Sequence, residues 1–190
     1  RAESNSNAYR FFLDAGNDRI VMGHTAGITA GGVNAAFQQI GNSSATRSTG
    51  LTNFSADANS SALRFAKSRG SSIGTNTIVQ SGDNLGMIVF AGDDGTDLTS
   101  RAADMLAEVD GTPGSDDMPG RIVFRTTAES AAAPSERMRL TKEGLLGIGI
   151  ASPNEPLHVF HATRNVLVNI ESGDSGAYIS FKDDDTTDTD

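Results

Sequence analysis

The 190-residue sequence contains no cysteine and no tryptophan. The first absence excludes a disulfide framework and thiolate chemistry, and it leaves the redox compartment open. The second, with only nine Phe and two Tyr, leaves little on which a sugar ring could stack. No apolar run approaches the roughly 18 residues that a membrane span requires, so membrane insertion is not expected. Basic residues are the minority: 15 Lys and Arg stand against 24 Asp and Glu, a formal charge of −9. The acidic excess is dispersed, and no basic face is available for a nucleic acid. A negative surface of this kind keeps a large assembly soluble. The chain opens Arg1-Ala2-Glu3 and closes Asp188-Thr189-Asp190, which reads as a fragment of a longer chain or a processed product.

What is present is small and polar. Hydrophobic residues make up 37 % of the chain, and Gly, Ser, Thr, Asn and Asp fill much of the rest. That composition favours turns and short strands over long helices. A compact domain of this length buries roughly 70 % of its unfolded surface, which is hard to reach with so few large side chains. Either part of the chain stays unordered or several copies share one core. Regular short apolar strands favour sharing.

Those strands are short apolar runs with period-2 character, separated by Gly, Asn, Asp and Ser. Residues 9–13 and 19–22 flank a Gly-containing loop and read as a hairpin. Residues 24–50 are mostly small and polar, with one apolar stretch at 37–40. Residues 51–54 and 62–66 are two further candidate strands. A phrase of Gly, any residue, Ile, Val, Phe occurs at 86–90 and again at 120–124. Between them, residues 102–109 fit a helix by the propensities of Ala, Met, Leu and Glu, and a strand by alternation. The β neighbours favour the strand. Residues 110–114 form a turn-rich loop, and 137–140 with 145–150 read as another hairpin around Gly144.

A larger repeat also runs through the chain. Gly27-Ile28, 37–40, 51–54 and 62–67 form one series, and Gly149-Ile150, 157–160, 166–170 and 177–182 form a second in the same order. Repetition of this kind implies β modules stacked end to end, the geometry of a shaft. The expected organisation is a β module over 1–70, a central β module over 71–139, and a second copy of the first type over 140–190 with an acidic end.

Several phrases resemble bacteriophage tail fibres, particularly those of marine and cyanobacterial phages. The phrase Met138-Arg139-Leu140-Thr141-Lys142-Glu143-Gly144-Leu145-Leu146-Gly147-Ile148-Gly149, then Ser152-Pro153 and Leu157-His158-Val159, is similar to one frequent in the stalks of tail fibres and related adhesins. Phe65-Ala66-Lys67-Ser68-Arg69-Gly70, residues 109–124, and Ile179-Ser180-Phe181-Lys182-Asp183 are similar to such sequences too. The resemblance spans about three-quarters of the chain, most clearly 50–182. Ile150 stands where such phrases commonly carry Thr. The chaperone or peptidase-like domain that often follows these shafts is not in this sequence, which bears on whether this piece trimerises by itself.

The resemblance implies a non-enzymatic, all-β, elongated and intertwined homotrimer, a structural part of the virion outside the host cell. Its partners would be two identical chains, adjoining tail-fibre or baseplate proteins, and a host-surface glycan or protein. Two other functions are weighed beside it: a tailspike-type polysaccharide depolymerase, and a bacterial surface adhesin stalk.

The candidates for chemistry are thin. Gly173-Asp174-Ser175-Gly176 matches the nucleophile phrase of trypsin-like proteases, but a hairpin loop explains it without the rest of a triad. His158 and His161 are three apart, so on a strand they face opposite ways, and His24 has no identifiable partner. His158 could instead stack with its symmetry mates at a threefold axis. Residues 93–97 and 183–185 are acidic, without the spacing of a calcium loop. A glycosidase needs two carboxylates facing across a sugar, and no sequence pair is singled out. Gly147-Ile148-Gly149 lacks the rest of a dinucleotide motif. No catalytic residue, cofactor or metal is expected, and the receptor-binding residues are not identifiable. The large strand side chains remain: Phe54, Leu63, Phe65, Ile88, Phe90, Ile122, Phe124, Leu140, Leu157, Val159, Val168, Ile170, Ile179 and Phe181. These are the expected core of a trimer.

Overall fold

A computed structural model describes residues 11–14, 19–22, 28–33, 35–40, 48–173, 176 and 178–179. Among them there is no helix, and nine strands form two sheets. The protein is all-β, as its turn-rich composition implies.

The smaller sheet contains β1 (Phe11–Asp14), β2 (Arg19–Met22) and β3 (Phe37–Gln39) in that order. β1 and β2 form the antiparallel hairpin expected from the sequence, while β3 returns parallel to β2.

The larger sheet contains β4 (Asn84–Gly92), β5 (Ser100–Val109), β6 (Gly120–Thr126), β7 (Ser135–Leu140), β8 (Leu146–Ile148) and β9 (Leu157–Val159). Its strands lie in sequence order. Each pair is antiparallel except the last, β8 with β9. The sheet runs without a break through residue 140.

The segment that fits both a helix and a strand is a strand, β5, laddered on both sides by β4 and β6. Two complete ladders outweigh a helix preference of a few tenths of a kcal/mol per residue, roughly. At the β7–β8 turn Gly144 takes φ 79° and donates its amide to the Thr141 carbonyl. The parallel return from β8 to β9 uses only the eight residues 149–156. That is shorter than the usual crossover. It suffices because strands of three residues need a backtrack of only about 10 Å.

One anchor joins the sheet to the chain before it. Arg69 forks onto both carboxylate oxygens of Asp83, each at 2.6 Å. Asp83 also accepts the Gln80 amide at 3.0 Å, and its carbonyl accepts the Val109 amide. Val79 and Val109 are buried in this corner.

Three expected strands are absent. Residues 51–54, 62–66 and 166–170 carry no regular secondary structure and are exposed. A strand exists through its ladder, and among the described residues none of these segments is laddered to a strand of this chain. Most of the expected strand at 177–181 lies outside the described residues.

Candidate assembly face

Pairing register sorts the side chains of the larger sheet into two faces. On one, Ile88, Met105, Phe124, Met138, Ile148 and Val159 are successive partners across all six strands. Beside that row runs a second: Gly86, Ala107, Ile122, Leu140, Leu146 and Leu157. Neither row contains a charged or hydrogen-bonding side chain. Phe90 and Ala103 extend the apolar surface at one corner.

The other face carries the charges. Arg125 clamps both oxygens of Asp104 at 2.6 and 2.9 Å and reaches the Met87 sulfur at 3.5 Å. Arg121 bridges Glu108 at 2.6 Å and Asp110 at 2.8 Å. Arg139 grips Glu136 at 2.5 and 2.6 Å. Residues three apart point to opposite faces of a regular strand. The register shift beside Arg125 skips Arg137 and brings Glu136 round to the side of Arg139.

These ion pairs order the charged face. Burial pushes the Asp110 carboxyl up, but the Lys142 amide and Arg121 outweigh it and hold it below its ordinary value. The hydrogen bond to Asp104, against the opposing effect of burial, holds the Arg125 guanidinium above its ordinary value.

Exposure is the reverse of what a half-buried sheet usually shows. Apolar residues normally face a core while charges face water. Here Leu106, Val123 and Asp104 on the charged face are buried, and the apolar face is open. Leu157 is 59 % exposed, Phe90 58 %, and Phe124, Ile148, Leu140 and Ile122 are also exposed. Met105, Met138, Leu146 and Val159 are half-buried beside them.

At the β4 edge Phe65 lies over Gly86, where a β-carbon would come within 2.5 Å of it. The two help to line an apolar cleft of about 290 Å³, with Ile88, Met105, Ala107 and Ile122 along its floor.

Seven of the expected core residues therefore share one face: Ile88, Phe90, Ile122, Phe124, Leu140, Leu157 and Val159. Phe65 rests on its rim. Phe54, Leu63, Val168, Ile170 and Ile179 stand exposed outside the sheet, and Phe181 lies outside the described residues. Reading for the largest side chains missed Met105, Met138, Leu146 and Ile148. Simple alternation from Leu140 and from the Gly-Ile-Gly strand would have found Met138, Leu146 and Ile148, while Met105 depends on β5 being a strand.

The remaining candidates are dispersed. His158 sits in β9 on the charged-face side, next in register to Gly147, and its Nδ1 is buried without a hydrogen-bond partner. His161 lies beyond the strand, its Nδ1 accepting the amides of Thr163 and Arg164 at 3.2 Å. In the acidic turn, Asp93 caps Gly95, Asp94 caps Thr96 and binds Ser100, and Asp97 caps Thr99. These carboxylates are turned onto their own loop. His24, Asp174, Ser175 and 183–185 lie outside the described residues.

The sequence matches no protein-family model and no curated protein. Among solved structures, it is similar to the carboxy-terminal domain of the bacteriophage T5 L-shaped tail fibre, with a TM-score of 0.47 and 17 % identity. The alignment covers 68 % of this chain and 48 % of that one, so this chain spans about half its length.

Proposed function

We propose that this chain is a structural segment of a phage tail-fibre shaft and assembles as a homotrimer. The apolar face of the larger sheet is turned inward to two identical chains. The observation that carries this reading is the inverted sheet: two charge-free rows across six strands lie open, while the ion-paired side is the covered one. A second and third copy would close those rows into the core that one chain lacks. The sequence phrases around 138–159 supply the tail-fibre part of the reading.

In this arrangement the ladders of Arg and acidic residues form the outer wall of the shaft. His158 then points outward, away from the axis where stacking was considered. The role is mechanical and non-enzymatic: it spaces the host-contacting tip from the particle and transmits load between adjoining fibre or baseplate proteins. It operates outside the cell, on the virion, and any receptor would be a glycan or protein of the host surface.

Light scattering on the chain tests the reading. The expected mass is near three times 19.8 kDa, and a folded monomer would overturn it. Phe124→Ala should weaken the assembly, because burying a Phe contributes about 1.5–3 kcal/mol and the loss recurs in each of three chains. A Phe124→Ala trimer with unchanged melting temperature would contradict the placement of this face.

A further inference from the structure

The chain contains the same three-stranded unit twice. β7, β8 and β9 form an antiparallel hairpin followed by a short parallel return. β1, β2 and β3 pair in the same way, an antiparallel hairpin and then a parallel return. The two superimpose in register. Leu146 pairs with Leu140 and Leu157, and Ile20 pairs with Leu13 and Phe37. Ile148 pairs with Met138 and Val159, and Met22 pairs with Phe11 and Gln39.

The bonds that begin and end the parallel return also correspond. The Leu146 amide donates to the Pro156 carbonyl at 2.9 Å, as the Ile20 amide donates to Ala36 at 2.7 Å. The Phe160 amide donates to Ile148 at 2.9 Å, as the Ile40 amide donates to Met22 at 2.8 Å. The eight-residue return of β7–β9 is shorter than the usual crossover, and low apolar content does not call for two parallel returns with one register. The longer connection of the first unit, residues 23–36 against 149–156, leaves the pairing unchanged.

Side-chain character follows the backbone. Ile20, Met22, Phe37 and Ile40 occupy the places of Leu146, Ile148, Leu157 and Phe160. Phe37 is 57 % exposed, close to the 59 % of Leu157. The one polar replacement is Gln39 in the place of Val159, and its amide is held by the Ser48 carbonyl at 3.0 Å and the Thr49 hydroxyl at 2.7 Å.

We infer that β1–β3 is a second assembly unit, whose Ile20, Met22 and Phe37 face meets copies of this chain as the β7–β9 face does. The inference rests on the trimer reading and adds a second, separate interface to it. The occupant is another copy of this chain, because the unit repeats pair for pair the β7–β9 face that identical chains cover in that reading. Chains at −9 repel one another, and these uncharged rows are where copies can meet without bringing like charges together. A chain carrying both units would be clasped at two places along its length, which suits a shaft more than a compact oligomer.

The cysteine-free sequence makes a direct test possible. Phe37→Cys, Leu157→Cys and, as an exposed loop control, Ser115→Cys are each made in the full chain and treated with a short bis-maleimide. Cross-linked chains from Phe37→Cys and Leu157→Cys but not Ser115→Cys are expected. Cross-linking through Leu157→Cys alone would overturn the second interface and leave the trimer reading standing. Cross-linking through neither would overturn both. A Phe37→Asp chain that keeps the parent's mass by light scattering and its melting temperature would also overturn the second interface.

Discussion

At the scale of single residues, the strongest polar fixture outside the charged ladders is Arg69 on Asp83. The fork from Arg69, then the Gln80 amide, hold the Asp83 carboxyl well below its ordinary value. A carboxylate depressed in the folded state contributes stability in full above its unfolded pKa of about 3.9. That contribution is lost as pH falls through the folded value. Melting temperature should thus be level down to about pH 4 and decline below it. Asp83→Asn should melt lower than the parent at neutral pH and decline less steeply in acid. Parallel melting curves for the two proteins across that range would show that the fork does not hold the 69–83 segment.

At the scale of elements, the parallel return is the structure most dependent on one residue. Gly149 has φ 74°, and a β-carbon there would run into the Phe160 carbonyl. Its amide also donates to Arg137 at 2.9 Å, which ties the end of β8 back to β7. Gly149→Ala should cost about 1–3 kcal/mol, the usual range for strained backbone, and should loosen β9 first. Gly173, with nothing near its β-carbon position and an ordinary φ, is the control for Gly→Ala alone. Chemical denaturation of both variants measures the difference. Equal midpoints would mean that β9 does not depend on this turn.

At the scale of the whole molecule, two opposing terms would govern the proposed assembly. Apolar burial favours it, while the −9 charge on each chain opposes it. Salt screens the second with a Debye length of about 8 Å at physiological ionic strength, and sulfate or phosphate salts strengthen the first. Association should therefore tighten as salt rises. Sedimentation from about 0.01 to 1 M salt checks this, and weakening would point to ion pairs between chains. The charged ladders are already paired within one chain, so they leave little for a neighbour to screen.

Much of the fold was legible in the residues because a strand announces itself locally. The repeated Gly-any-Ile-Val-Phe phrase marked 86–90 and 120–124, which lie within β4 and β6, and Gly144 marked the β7–β8 turn. Composition alone left two readings, part of the chain unordered or a core shared between copies. Where local signals conflicted, at Ala102 to Val109, the outcome depended on ladders from both sides, which only the assembled sheet provides. Residues 51–54, 62–66 and 166–170 have strand-like sequences and yet no strand, because pairing requires a neighbour that sequence cannot place. The candidate face shows the same division. Its Phe, Ile and Leu residues stood out for size, but their alignment into two rows depends on the register between each strand and the next. A shift of one residue would have sent them to the other side. The residue types determined that this protein is built of strands short of a core. Register decided which face carries the apolar rows and lies open.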